Sequence, residues 1–324
     1  MKKLLITGGT GKLGSRLVHA LVARGYALRV LSPDHPCVSP LVEWRRQNFL
    51  DSLEFDSALE GCDGVFHLAA ELWRTELMLK VNVDATRELV MAAERAGIRT
   101  FLYTSTICVY GSPKCWRVSE DCPLISVKPR ANNHIFTSDM LKEYARTKLL
   151  GEYEINKYAK NVSYIIVRPC NIASDQDIIN IKDWNIFTRI WRGYRITHQV
   201  YVDDVVSAMI YLVEKNYQKN QSLEANPAVY QISNDDDPEN CYHVIFSKMY
   251  NKTRMMKYRL PFYVPAIFDR VKDVVKYGNF EARYCVGAIK YLPDHLYATG
   301  FRYPTGISRA HDMVIDNMAN GISK

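Results

Sequence analysis

The sequence predicts an α/β protein built on a doubly wound parallel sheet. Three observations carry this reading. Short β-type runs alternate with helical patterns through the first half of the chain, the first run ends in a glycine turn, and the run at 65–68 is apolar throughout, as in a strand covered on both faces. At 324 residues, 48% hydrophobic and 24% charged, the composition is that of a globular protein and not of a disordered one. The length suits one large domain or two unequal lobes.

Lys3–Thr7 reads as the first strand. Leu13, Leu17, Val18 and Leu21 then recur at helical spacing until Gly25 stops the helix. Ala27–Ser32 is the second strand, followed by a break at Pro33, Pro36 and Pro40. Residues 42–49 give a short third strand and 65–68 a buried fourth. Residues 86–96 form a helix with Leu89, Val90 and Ala93 inward, closed by Gly97. Strands at 100–103 and 163–167 flank a long helix at 138–158. This rhythm is that of βαβ units with right-handed crossovers.

After Arg168-Pro169 the alternation stops. Residues 175–195 and 233–324 are rich in Tyr, Pro and aromatic residues, whereas 200–214 reads as a return to the sheet domain. The expected division is therefore a sheet domain at 1–170 and 200–232, with a smaller discontinuous lobe at 171–199 and 233–324. No repeat is visible.

Lysines and arginines number 42 against 35 acids, a net +7. The excess reads as mild and scattered, with pairs such as Arg45-Arg46 among acids, so nucleic-acid binding is not indicated. No apolar run approaches the roughly 20 residues of a membrane span. The opening apolar stretch stops at Gly8-Gly9, too short for an export signal, so the expected location is the cytoplasm. Eight cysteines show no Cys-x-x-Cys pair and read as free thiols, and no metal set is expected. Asp235-Asp236-Asp237 before Pro238 reads as a solvated turn.

Thr7-Gly8-Gly9-Thr10-Gly11-Lys12-Leu13-Gly14 follows a strand and opens a helix. Glycines at 8, 11 and 14 permit a tight turn, close approach of the backbone to a pyrophosphate, and close helix–sheet packing. The free N–H groups and positive dipole end of the helix then hold the phosphates.

That spacing resembles the extended short-chain dehydrogenase/reductase (SDR) superfamily, and further residues carry the resemblance. Gly61-Cys62-Asp63-Gly64-Val65-Phe66-His67-Leu68-Ala69-Ala70 resembles its strand-four signature. Asn82-Val83 with Thr86 resembles a helix start of the family, and Tyr103-Thr104-Ser105-Thr106 with Val109-Tyr110-Gly111 the segment of the catalytic hydroxyl. Tyr144-Ala145-Arg146-Thr147-Lys148 matches Tyr-x-x-x-Lys. Arg168-Pro169 with Asn171, Tyr201-Val202-Asp203-Asp204, and Gly300-Phe301-Arg302-Tyr303-Pro304 resemble later markers. The likeness is to the NAD-dependent epimerase/dehydratase family, in its 3β-hydroxysteroid dehydrogenase/dihydroflavonol reductase-like branch. It implies a Rossmann doubly wound sheet with a smaller C-terminal substrate lobe, and a homodimer formed through residues 86–96 and the Tyr144 helix.

Residues four apart share one helix face, so Tyr144 and Lys148 can serve one site. A phenol with a pKa near 10 is a poor base at neutral pH; a nearby ammonium and a positive nicotinamide are expected to lower it. Tyr144 is then the acid/base, Lys148 its tuner and a ribose ligand, and Thr106 the hydroxyl that orients the substrate oxygen, with Ser105 the alternative in a shifted register. His67 reads as a core histidine. The implied cofactor-binding set is Gly8, Thr10, Gly11, Lys12, Leu13, Gly14, Ser32, Asn48, Phe49, Leu68, Ala69, Ala70, Asn82, Lys148 and Pro169.

Ser32 stands where an acid would select NAD, so NADP is slightly favoured over NAD; Lys12, Arg45 and Arg46 are the nearby cations and Asp34 the nearby acid. Residues 112–133, with three prolines and two cysteines, read as an elaborated loop near the substrate mouth. The segment from Arg259 to Phe268 resembles an apolar helix start of the same branch and is expected to pack in the lobe's own core, as are Trp184, Phe187, Trp191 and Tyr194. The expected function is NAD(P)-dependent hydride transfer with a carbonyl or secondary alcohol of a small organic substrate. The alternatives are a nucleotide-sugar epimerase or dehydratase, and a non-catalytic NAD(P)-binding sensor of the same fold.

Overall fold

The structure, a computed structural model, describes residues 3–35, 39–111, 113, 115–128, 139–193, 195–218, 227–250, 264, 267, 268, 271, 275 and 289–320. The chain divides into two compact units. The first comprises Met1–Gly111, Leu124–Pro169 and Val206–Tyr230; the second comprises Ser112–Pro123, Cys170–Val205 and Gln231–Lys324.

The first unit opens with β1 (Lys3–Thr7), α1 (Lys12–Ala23), β2 (Ala27–Ser32) and β3 (Val42–Arg46), then α2 (Asp56–Leu59) and β4 (Gly64–His67). α3 (Thr75–Met78) runs through a π-helical turn, Leu79–Asp84, into α4 (Ala85–Ala96). β5 (Thr100–Thr104) is followed by a 3₁₀ turn, Ile107–Tyr110. β6 (Arg117–Val118) lies outside the sheet; α5 (Asp139–Tyr158) and β7 (Ser163–Pro169) complete the βαβ series. Gly97 ends α4 in the left-handed conformation at φ +64°, its N–H returning to Ala93 and Glu94 carbonyls, as the sequence predicts.

The central sheet has seven strands in the order β10-β7-β5-β4-β1-β2-β3. β1 to β5 and β7 pair in parallel, for example Ile6 with Val30 and with Phe66. Leu4, Leu5, Ile6, Val65, Phe66, Phe101 and Leu102 are wholly buried, which is why these runs are apolar on both faces. From β1 the chain winds outward through β2 and β3, then crosses to β4 on the other side. The ends of β1 and β4 therefore flank the switch point where doubly wound sheets bind ligands.

The remaining elements are β8 (Asn171–Ala173), α6 (Asp175–Asn180), α7 (Ile186–Arg192), β9 (Gln199–Tyr201), α8 (Val202–Gln218), β10 (Ala228–Ile232), α9 (Tyr242–Met249), β11 (Lys290–Tyr291), α10 (Asp294–Ala298) and α11 (Ile307–Ala319). β9 pairs with β8 in a separate two-stranded ladder, so the apolar run near Val200 is not a strand of the central sheet. That place goes to β10, which the sequence reading did not mark as a strand. In the second unit Trp184 packs on Tyr242 and Phe246, a small core of its own. β6 pairs with β11 there, giving the predicted loop a short strand.

The acidic run does lie in a turn, with Asp236 exposed and Asp237 half-buried, but Asp235 departs from the expectation: it is 1% exposed, accepts from Tyr291 N–H (3.0 Å) and meets His198 Nδ1 (2.6 Å). Asp236 and Asp237 accept from the Tyr297 and Ser308 hydroxyls. Val264, Ile267 and Phe268, expected in the lobe's core, are exposed, as is Phe187. Tyr194 lies outside the described residues. The described cysteines are free thiols, with Cys115 Sγ 3.4 Å from Cys122 Sγ; Cys37 and Cys285 lie outside the described residues.

α5 approaches β5 and the π-helical turn at Gly151, where a Cβ would stand 2.3 Å from Tyr103 Oη and 2.9 Å from the Asn82 carbonyl oxygen. Replacing Gly151 with Val is expected to destabilise the fold by about 1–3 kcal/mol through overpacking. A urea titration with an unchanged midpoint would show that α5 does not dock there.

Candidate active site

The glycine turn forms one wall of a cleft of about 300 Å³ at the carboxyl ends of β1 to β4. Gly8 has φ +72°, and a Cβ on it would meet Ala69 N at 2.7 Å, so the turn closes tightly on the strand-four loop. A Cβ on Gly14 would stand 2.0 Å from the Gly8 carbonyl oxygen, which ties α1 to the turn. Gly11 differs. A Cβ there would meet only Gly8 O, at 3.4 Å, so the fold tolerates one and the open side is the cleft. Gly11 caps α1 without any side-chain bond, so the first turn of the helix presents the backbone N–H groups of Leu13 and Gly14 with no side-chain cap over them. A narrow cradle of backbone donors with a bare glycine at its lip fits a diphosphate.

The far wall is held by a buried polar chain. Thr7 Oγ1 meets His67 Nδ1 at 2.7 Å and accepts from Ala69 N–H at 3.2 Å. His67 Nε2 meets Thr86 Oγ1 at 3.0 Å. Burial, with Lys148 nearby, drives the His67 pKa down to about 3, so the ring is neutral and structural. Asn82 accepts from Glu71 N–H (2.8 Å) and donates to Glu71 O (3.0 Å) and Thr147 Oγ1 (3.1 Å). It thereby fixes the loop that carries Ala70 and Glu71 along the cleft.

The catalytic candidates lie on β5, the turn after it, and α5. Thr106 caps the 3₁₀ turn and accepts from Cys108 N–H at 3.2 Å, which leaves its hydroxyl a proton to donate. Ser105 Oγ instead donates to Glu152 Oε1 at 2.5 Å, inside the protein. Tyr144 is partly buried, and burial raises its phenol well above the ordinary value. Lys148 is 1% exposed, with Nζ 4.1 Å from the centre of the Tyr103 ring. Burial lowers its pKa to about 7, although Glu152 works against the shift. Lys148 does not lower the Tyr144 pKa here: burial, and after it Cys108, raises the phenol, and the ammonium lies over Tyr103.

Behind these groups sits an ion pair. Arg168 donates from Nε to Glu152 Oε1 (3.0 Å), from Nη2 to Glu152 Oε2 (2.6 Å) and from Nη1 to Tyr110 Oη (2.8 Å). Both charges are nearly inaccessible, at 4% and 2% exposed.

The profile of the NAD dependent epimerase/dehydratase family matches residues 4–232. The chain belongs to this family. Curated relatives include human sterol-4-alpha-carboxylate 3-dehydrogenase, decarboxylating, at 25% identity over 72% of this chain and 63% of that protein. Cinnamoyl-CoA reductase 1 of Petunia hybrida is 28% identical over 70% of this chain and 73% of that one. Sterol demethylase protein B of Methylococcus capsulatus is 32% identical over 53% of this chain and 52% of that one. The chain spans about half the length of several such relatives. A short-chain dehydrogenase/reductase superfamily protein from Agrobacterium tumefaciens, solved with NAD bound, shares the fold at TM-score 0.69 and 18% identity, over 99% of this chain and 98% of that one. A human epimerase family protein solved with NADPH does so at 0.63 and 16%, over 97% and 99%.

Of the cofactor residues predicted for this family member, Gly8, Thr10, Gly11, Asn48, Phe49, Leu68, Ala69 and Ala70 line the cleft. Ser32, Asn82, Lys12, Leu13, Gly14, Lys148 and Pro169 do not. Ser32 is turned inward, donating to Asp34 O at 2.6 Å, and Asn82 stands behind the wall. Leu31, Pro33, Gln47, Leu50, Glu71, Arg74 and Val81 also line it and were not singled out. Most directly neighbour a predicted residue, so continuing each motif through its loop would have found them.

The depressed pKa makes Lys148 a cost to the unliganded fold. Between pH 7 and 10.5 the unfolded chain holds this proton and the folded chain does not, so the penalty is full below pH 7 and fades as pH rises. Lys148→Met is expected to raise the melting temperature at pH 7 relative to the parent, with a smaller gain at pH 10. A gain that grows with pH would contradict the assignment.

Proposed function

We propose that the protein is an NAD(P)-dependent dehydrogenase/reductase of the extended SDR type, acting on a carbonyl or secondary alcohol of a small, largely apolar organic substrate. The observation that carries this reading is Lys148, a lysine buried one helical turn from Tyr144 in a unit whose glycine cleft fits a dinucleotide. A lysine held out of water without an ion pair of its own marks a chemical role. The names of the sterol and cinnamoyl relatives support an apolar substrate.

When bound, the nicotinamide dinucleotide supplies or accepts the hydride. The glycine turn, with Gly8, Thr10 and Gly11 lining the cleft and the N–H groups of Leu13 and Gly14 behind it, would hold its diphosphate, and Asn48 with Phe49 would serve the adenine end. Lys148, on the same helix face as Tyr144, would be the residue to bond the ribose. Tyr144, kept neutral by burial, gives its proton to the carbonyl oxygen as the carbon receives the hydride, yielding the alcohol; solvent restores the phenol. Thr106 donates to the same oxygen and stabilises its developing charge.

NADP is the preferred carrier in this reading. β2 ends in neutral Ser32, and its register partner on β3, Arg46, is exposed and free of an acid between them. A homodimer through α4 and α5 goes with the same assignment, supported by the exposure of Tyr153.

Tyr144→Phe is expected to lower turnover by about 10²–10⁴-fold with cofactor affinity kept. Gly11→Val is expected to keep the fold and lose cofactor affinity. Unchanged turnover in the first would sink the acid/base role, and unchanged affinity in the second would displace the diphosphate from the cleft. NADPH should be preferred to NADH in kcat/KM, and Arg46→Glu should reduce that preference at least about tenfold, the worth of a charge-assisted phosphate contact; an unmoved ratio would remove Arg46 from the site. Net consumption of reduced cofactor, mole for mole with product, separates this reading from an epimerase.

A further inference from the structure

Val264, Ile267, Phe268, Val271 and Val275 are α-helical and exposed, at 39%, 58%, 61%, 54% and 81%. Their spacing puts them on one helix face. The apolar surface continues onto α7, where Trp191 meets Phe268 edge-on at 5.2 Å and Phe187 is 80% exposed. Soluble surfaces carry single exposed apolar residues routinely, but a contiguous patch of large ones marks a contact surface.

Charge identifies the contact. Residues 251–276 contain seven lysines and arginines against two aspartates, a surplus of five in a chain whose total is +7. α7 adds Arg189 and Arg192. An apolar helix face set within a cationic stretch is complementary to an anionic bilayer surface: the side chains enter the acyl boundary while the cations meet phosphate headgroups. A second copy of the chain would bring the same cations face to face. Among the described residues no helix is long and apolar enough to cross a membrane, so the mode is interfacial.

We infer that the second unit docks on anionic phospholipid surfaces through this helix face and α7. The test is co-sedimentation of the full chain with vesicles of phosphatidylcholine alone and of phosphatidylcholine with phosphatidylserine. Partition onto the anionic vesicles should be at least about tenfold greater, and should fall as salt rises. Ile267→Asp combined with Phe268→Asp should abolish it, while unchanged dinucleotide affinity reports an intact fold. Arg270→Glu with Lys272→Glu should weaken it by reversing two charges of the cationic stretch. Equal partition onto both vesicle types, or none, overturns the proposal, as does full binding by the Ile267/Phe268 variant. So does a concentration-dependent dimer in sedimentation velocity that this variant dissolves, in a protein that ignores vesicles.

Discussion

The Glu152–Arg168 ion pair joins the three segments on which the chemistry rests. Two charges so far from water are held at a large desolvation cost, which only excellent geometry offsets. Here both carboxylate oxygens are bonded, one of them twice, and the third guanidinium bond goes to Tyr110. The pair lies one turn along α5 from Lys148, beside Thr106 through Ser105, and beside Pro169 at the end of β7. Removing one partner would strand the other, at a cost of about 3–5 kcal/mol. The register of α5 against β5 and β7 is set at this point, and with it the place of the phenol and the lysine.

Much of this was legible from residue order. β1 and β2 match the predicted bounds because short runs rich in Leu, Ile and Val meet glycine or proline just beyond their ends. β10 was not, since Tyr230 and Gln231 dilute its apolar run at the sheet edge. The glycine turn and the Ala69-Ala70 loop were legible as the cleft because backbone approach has a composition signature. Asn82 was not: a family position says that an amide is needed, not that it faces a loop instead of a ligand. Within the acidic turn at 235–237 the burial of Asp235 was not legible, because sequence shows a charge but not the His198 ring and the Tyr291 backbone folded against it. Summing charge over the whole chain likewise hid the cationic stretch at 251–276.

The electrostatics of the site run opposite to the expectation drawn from the motif. Tyr-x-x-x-Lys suggests a phenol made acidic by its neighbour, yet enclosure raises the phenol and lowers the amine. Both effects have one origin, the removal of water, which disfavours the charged form of each group. Helical spacing is visible in a sequence, whereas the depth at which it is buried is a property of everything packed above it.

α5 carries Ala145, Thr147, Lys148, Leu149, Gly151, Glu152 and Ile155 on its buried stripe, while Tyr153, Asn156 and Lys157 face outward. Gly151 admits no side chain, and its neighbours in the stripe each have fixed partners. Tolerance of this helix to substitution is therefore expected to be one-sided: the outer surface has room for new side chains and new associations while the inner one has none, so a change in assembly need not disturb the packing behind it.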